Sequence, residues 1–247
     1  MSGHSKWANI KRKKEAEDKK RGKIFSKLSR MITLAVIAGG GITDPQKNVK
    51  LRLVIEKAKQ ANMPKDNINR AIDKATKPDA SSLKEVTYEA FGPEGVALII
   101  EGSSDNPNRT FSEVKNVLSN FNAKLATPGA VSYLFKRCGL VIIKKEKVSE
   151  EKIFELADKL SSFDIDQDDE AFYLYFPFEN LGRVKEIFGQ IQPDSIEIDY
   201  KPQTLIKINN QQKAKTLIDL VEALENLDDI QRVYFNCEIP YEFYQNQ

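Results

Sequence analysis

The chain has 247 residues, 40% of them apolar, with 38 Lys or Arg against 36 Asp or Glu, one histidine and two cysteines. That length and apolar share allow one or two sizeable cores in two or three compact units, and the longest apolar runs fall far short of the roughly 20 residues that a membrane span needs. The formal net charge of +2 hides a split, because residues 1–79 sum to +12 and residues 80–247 to −10.

Residues 1–30 carry eleven basic side chains and three acidic ones, and up to residue 22 the only large apolar groups are Trp7 and Ile10. This is a polar basic arm with little to fold around. From Lys23 onward, Ile24, Leu28, Met31, Ile32 and Ala35 mark one helical face, and Gly39-Gly40-Gly41 provides a stop. The same run shows no small-residue cleavage site and Glu15, Glu17 and Asp18 interrupt the arm, so neither a signal peptide nor a mitochondrial presequence is expected. Asp44-Pro45 reads as a cap and first turn for a second helix through Leu51, Val54, Ile55, Ala58 and Ala61, ended by Asn62-Met63-Pro64. Asp66 caps a third helix with Ile68, Ala71, Ile72 and Ala75 inward.

The pattern then changes. Strands are expected at 86–91 and 96–101 around the Gly92-Pro93-Glu94-Gly95 turn, followed by a helix from Asn106 with Phe111, Val114, Val117, Leu118 and Phe121 inward. Strands at 130–135 and 140–144 flank Arg137-Cys138-Gly139, and after them come a helix at 150–160, a strand at 171–176, a helix at 181–191 and a strand at 195–200. A helix at 211–227 and a strand at 232–238 complete the order. The fold class expected is α+β: an N-terminal three-helix bundle with its basic arm (1–79), then two ferredoxin-like α+β units, one of them (135–204) inserted into the other (80–134 plus 205–247).

Catalytic chemistry finds few residues to use. The single histidine, His4, lies in the arm and cannot join a relay or a metal cluster in a folded core, while Cys138 and Cys237 lack zinc or disulfide spacing. The acid pairs Asp168/Asp169 and Asp228/Asp229 read as solvated loops rather than perturbed carboxylates. Neither GxxxxGK[ST] nor GxGxxG occurs, so no enzyme activity, cofactor or small-molecule substrate is expected.

Binding to polyanions is the stronger reading. In Lys11-Arg12-Lys13-Lys14 and Lys19-Lys20-Arg21-Gly22-Lys23, successive cations straddle neighbouring phosphates and give affinity without telling one base sequence from another. A helix through this region puts Arg12, Lys19, Lys23, Lys27 and Arg30 along one broad side. With Lys6, Trp7, Lys11, Lys13, Lys14, Lys20 and Arg21, these form the candidate nucleic-acid-binding set, Trp7 either stacking on an unpaired base or anchoring the arm. The blander reading of the run is a solvated face, which the opposite sign of the remaining chain disfavours. A second candidate anion site is the turn at 103–110, where Asn108 and Arg109 sit at a helix amino end; plain capping by Asn106 or Asn108 is the alternative.

Several segments in order closely resemble the YebC family: Gly3-His4-Ser5-Lys6-Trp7-Ala8-Asn9-Ile10-Lys11, Arg21-Gly22-Lys23-Ile24-Phe25-Ser26-Lys27, Gly39-Gly40-Gly41, residues 57–68, residues 88–95, Asn108-Arg109-Thr110 and Thr127-Pro128-Gly129-Ala130-Val131. Arg12 stands where that family commonly has histidine, and Ala130 where it commonly has serine. The resemblance spans essentially the whole chain and implies a three-domain cytoplasmic bacterial protein, described in general as a probable transcriptional regulator, with members that bind promoter DNA. It also implies an alternative, since mitochondrial relatives include the translational activator of cytochrome oxidase, and one bacterial branch is associated with ribosomes stalled on proline-rich sequences. The expected partner is therefore nucleic acid, either promoter DNA or ribosomal RNA on the ribosome, and no membrane.

Overall fold

A computed structural model describes the backbone of residues 18–77, 83–240 and 242–245, and side chains within 22–77, 83–240 and 242–243. In chain order the elements are α1 (Asp18–Ala38), α2 (Val49–Gln60), α3 (Lys65–Ala75), β1 (Lys84–Phe91), β2 (Ala97–Ser104), α4 (Pro107–Asn120), β3 (Lys124–Leu125), β4 (Phe135–Lys144), α5 (Glu150–Lys159), β5 (Asp164–Gln167), β6 (Ala171–Pro177), α6 (Val184–Phe188), β7 (Ser195–Pro202), β8 (Ile206–Lys207), α7 (Gln211–Glu225), β9 (Ile230–Phe235), β10 (Cys237–Glu238) and α8 (Glu242–Gln245). The expected class holds, with helices first and α+β units with antiparallel sheets after them. Phe135–Gln203 forms one compact unit, and the rest of the described chain forms another.

The three helices close on Leu28, Ile32, Ala35 and Val36 of α1, Leu51, Ile55 and Ala58 of α2, and Ile68 and Ala71 of α3. These positions recur at three- and four-residue intervals, and each large aliphatic side chain removed from water contributes about 1.5–3 kcal/mol. The glycine stop is as expected, with Gly40 and Gly41 at positive φ. The cap of α2, however, is Asn48 rather than Asp44: its carboxamide accepts from Leu51 N (3.0 Å) and donates to Ala35 O (2.9 Å) and Ile42 O (3.1 Å). One buried side chain thus satisfies the end of α1 and the start of α2, and Gly39 packs so closely on it that a Cβ has no room. Asn48→Ala is expected to cost about 2 kcal/mol, one cap plus carbonyls left dry. The check is a lowered denaturant midpoint at unchanged m-value.

In the larger unit, β1 and β2 form a hairpin at the centre of a sheet ordered β3-β1-β2-β9, closed at the turn by Glu94 and Gly95 at positive φ. Ala90, Leu98, Ile100, Val233 and Phe235 meet Val114 and Leu118 of α4 and Leu217, Leu220, Val221 and Leu224 of α7. Glu89 alternates to the opposite face, where its carboxylate accepts from the amides of Gly129 (2.7 Å), Val131 (2.6 Å) and Ser132 (3.0 Å). Burial raises its pKa, but those amide bonds outweigh burial and hold it below the usual value. The segments 88–95 and 127–131, far apart in sequence, are therefore clamped together by one carboxylate.

The unit Phe135–Gln203 follows β-α-β-β-α-β connectivity with order β5-β6-β4-β7, which is the ferredoxin-like one. The outer unit reaches a similar helix-on-sheet layering with two helices placed after its hairpin. Several local expectations change here. Residues 132–134 form a 3₁₀ turn, and β4 runs unbroken through Arg137-Cys138-Gly139, because Gly139 faces the Phe176 ring at its paired position and leaves no space for a Cβ. The helix expected at 181–191 is a 3₁₀ turn at Phe178–Arg183 running into the short α6. The strand β5 was not anticipated; its Asp164 and Asp166 bind Lys201 at 2.6 and 2.8 Å, and Lys201 also lies 3.7 Å from the Tyr175 ring centroid. Cys138 on β4 and Cys237 on β10 are fully buried, and burial with the charge of Asp199 pushes the Cys138 thiol up to about 12.

Candidate nucleic-acid interface

Lys23, Lys27 and Arg30 follow one another at helical spacing on α1, and all three turn toward the carboxyl end of α7 and the segment leading into β9. Lys23 donates to Asn226 O, Lys27 to Glu225 O and Ile230 O, and Arg30 to Asp228 O (3.4 Å) and the Asp229 carboxylate. The last carbonyls of a helix have no partner within it and carry its negative end, and α7 has no basic residue in its own last turn. α1 supplies those cations from nearly 200 residues away in sequence.

Asp228 and Asp229 differ sharply. Asp228 is exposed, whereas the Asp229 side chain is only 2% exposed and gathers Arg30, Arg109 (2.8 Å), Thr110 and Ser104 (3.3 Å). Reading both as a solvated loop is corrected for Asp229, which is a buried junction between α1, α4 and the α7–β9 turn. Burial raises its pKa, but hydrogen bonds from Thr110, Arg109 and Arg30, with the charge of Arg30, outweigh burial and hold the carboxyl down at about 2. The backbone joins in as well: Ser103 N donates to Asp229 O (2.8 Å), and Gly102, at a register shift in β2, leaves that carbonyl space that a Cβ would take.

Arg109 also holds Asp105 (2.8 Å) and approaches Glu113 (3.9 Å), and its hydrogen bonds to Asp229 and Asp105 raise its pKa. In the turn at 103–110 it is Asn106 that caps α4, accepting from Arg109 N (3.2 Å), and the exposed Asn108 accepts from Ser112 Oγ through its carbonyl. The guanidinium nominated for a second anion site thus faces carboxylates of its own chain.

A cleft of about 850 Å³ opens beside these contacts. α1 lines it with Lys23, Ser26, Lys27, Ser29 and Arg30, α3 with Asn67, Arg70 and Lys74, and Leu83, Asp105 and Asp228 form the remaining wall. Arg70 donates to Asn67 Oδ1 and Asp66 O, and Lys74 is exposed. The structure thus brings together Lys23, Lys27 and Arg30 of the nominated set and adds Arg70 and Lys74, which sequence reasoning missed. A helical wheel of α3 would have found them, since residues 67, 70 and 74 fall on one face. Lys6, Trp7, Lys11, Arg12, Lys13 and Lys14 lie outside the described residues, as do the side chains of Lys19, Lys20 and Arg21. Among the described residues no group of His, Cys, Asp and Glu could hold a metal ion, and no helix is long and apolar enough to cross a membrane.

Residues 5–78 match a family model described as the TACO1/YebC protein N-terminal domain, and residues 83–237 match one described as the TACO1/YebC second and third domain. Relatives named probable transcriptional regulatory protein include those of Persephonella marina (43% identical, 97% of this chain and 96% of that protein), Aquifex aeolicus (42%, 99% of each) and Borreliella afzelii (45%, 98% and 99%). Among solved structures, the conserved hypothetical protein Aq1575 from Aquifex aeolicus superposes with a TM-score of 0.81 at 40% identity, covering 90% of this chain and 92% of that one.

Proposed function

From the premise that this chain belongs to the TACO1/YebC family, we propose that it is a cytoplasmic, nucleic-acid-binding regulator of gene expression that holds DNA through its basic N-terminal arm and helical domain. The observation that carries this reading is the charge split, +12 over residues 1–79 against −10 over the rest, which the cleft lined by Lys23, Lys27, Arg30, Arg70 and Lys74 extends without itself having to admit a duplex. The cleft sits at the carboxyl side of an arm rich in Lys and Arg, and such clusters bind phosphate by releasing counterions. The relatives' shared name, probable transcriptional regulatory protein, supports the transcriptional form of the reading. We take the chain as three domains, 1–79, 80–134 with 205–247, and 135–204, the first of them basic and the other two together acidic.

The test is electrophoretic binding to promoter fragments at physiological salt against excess unrelated duplex. Retained preference for the promoter is the expected result, and binding that unrelated duplex competes away equally sinks the transcriptional form. The alternative, a ribosome-associated factor that contacts ribosomal RNA and relieves stalling on proline-rich sequences, draws support from the modest size of the cleft, which suits RNA loops better than a duplex. Absence from ribosomal fractions when such stalling is provoked would remove it.

A further inference from the structure

We propose that the cleft between α1 and α3 holds the sugar-phosphate backbone of one unpaired nucleic-acid strand, with Arg70 and Lys74 as its phosphate contacts. This rests on the nucleic-acid reading above and adds to it the strandedness and the residues.

Size decides the first point. A cleft of about 850 Å³ lies in the range of pockets that take a ligand of a few hundred daltons. A B-form duplex, whose major groove alone is about 12 Å wide, is far too bulky to enter it. An extended strand threads such a cleft a few nucleotides at a time.

Charge decides the second. On the α1 side, Lys23, Lys27 and Arg30 have their direction fixed by the carbonyls of residues 225–230 and by Asp229. They contribute field but are not free to follow a ligand. On the α3 side, Arg70 and Lys74 stand one turn apart, about 6 Å along the axis, a separation suited to adjacent phosphates. Arg70 donates to Asn67 and Asp66 O, which uses two of the five N–H donors of a guanidinium. The hydroxyls of Ser26 and Ser29 supply neutral donors on the facing wall. None of the lining residues is aromatic, so bases have no stacking platform and the cleft grips backbone rather than base.

The experiment measures fluorescence anisotropy of the full-length chain with a labelled, unstructured 12-nucleotide strand and with the duplex of the same sequence, across a salt series and with ATP as competitor. Arg70→Gln with Lys74→Gln is expected to weaken strand binding about tenfold, and to lower the salt slope by about 1.4, from about 0.7 for each lost single-strand contact. Duplex affinity should change less than about twofold, because the arm, not the cleft, carries it. Arg70→Lys with Lys74→Arg keeps both charges and should restore strand binding, and an unchanged melting temperature shows that the variants remain folded. Equal loss on strand and duplex overturns the proposal. So does an unaltered strand affinity while the native chain binds both nucleic acids, and that outcome leaves the broader reading standing. Displacement of the strand by equimolar ATP reassigns the cleft to free nucleotides. If the native chain binds neither nucleic acid, both readings fall together.

Discussion

Asp229→Asn is expected to destabilise the chain by about 3 kcal/mol, the low end for breaking a buried ion pair, because Arg30 and Arg109 keep partial contact with water. The amide keeps one acceptor oxygen for Thr110 or an arginine but turns an N–H₂ group toward guanidinium donors, leaving two cations facing a neutral group. At about 2–4 °C for each kcal/mol in a chain of this size, the melting temperature should drop by roughly 6–12 °C. The pH dependence carries the same signature with a definite sign. The folded pKa of Asp229, about 2, lies below its ordinary value of 3.8. Its contribution is therefore fully present above about pH 4 and is lost as pH falls toward 2. Between those limits the native chain should lose roughly 2 kcal/mol that the Asn variant no longer has to lose. Coinciding stability-against-pH curves for the two proteins below pH 4, offset by nothing above it, would show that the junction contributes little.

The other large effect is on binding. Neutralising Lys11, Arg12, Lys13, Lys14, Lys19, Lys20 and Arg21 together should reduce duplex affinity at physiological salt by about 10³-fold, with the salt slope falling by about 0.9 for each side chain that had met a phosphate. Base preference should stay as it was, since phosphate contacts position a duplex without reading it. The measurement is binding of the intact and neutralised chains over a salt series. Equal affinities and equal slopes would leave the arm as a solubilising segment and pass the regulatory work to the acidic units.

Where the sequence was legible, local pattern and tertiary structure agreed. The apolar spacing through Leu28, Ile32 and Ala35, the hairpin around Gly92–Gly95 and the Asn106 cap could each be read from a short window. Three of the misreadings share a cause, since in each a residue outside the local window decides. Asp44-Pro45 looked the better cap, but Asn48 wins by reaching Ala35 and Ile42 across the helix turn. Gly139 looked like a break, yet the ring of Phe176, 37 residues on, fills the place of its missing side chain. Asp164 and Asp166 gave β5 no apolar alternation, because that edge strand is held by Lys201 instead of by a core. At the candidate site, the charge of α1 was visible but its direction was not. Nothing near Lys27 in sequence announces that its ammonium caps a helix made of residues 211–225. Arg70 and Lys74 were passed over because the basic arm dominates the charge count, and only the face of α3 groups them.

The two cysteines acquire a use from where they lie. Each compact unit contains one thiol, Cys138 in the unit 135–203 and Cys237 in the other, and both are sealed from solvent with their thiolates disfavoured by burial. A thiol reagent can reach either one only when the surrounding sheet opens, so the labelling rate at each site tracks the opening equilibrium of its own unit when reclosing is fast. The chain therefore carries a built-in pair of clocks. Mass-resolved labelling of the unaltered protein reports whether the inserted unit breathes on its own or only together with the unit that interrupts itself to hold it.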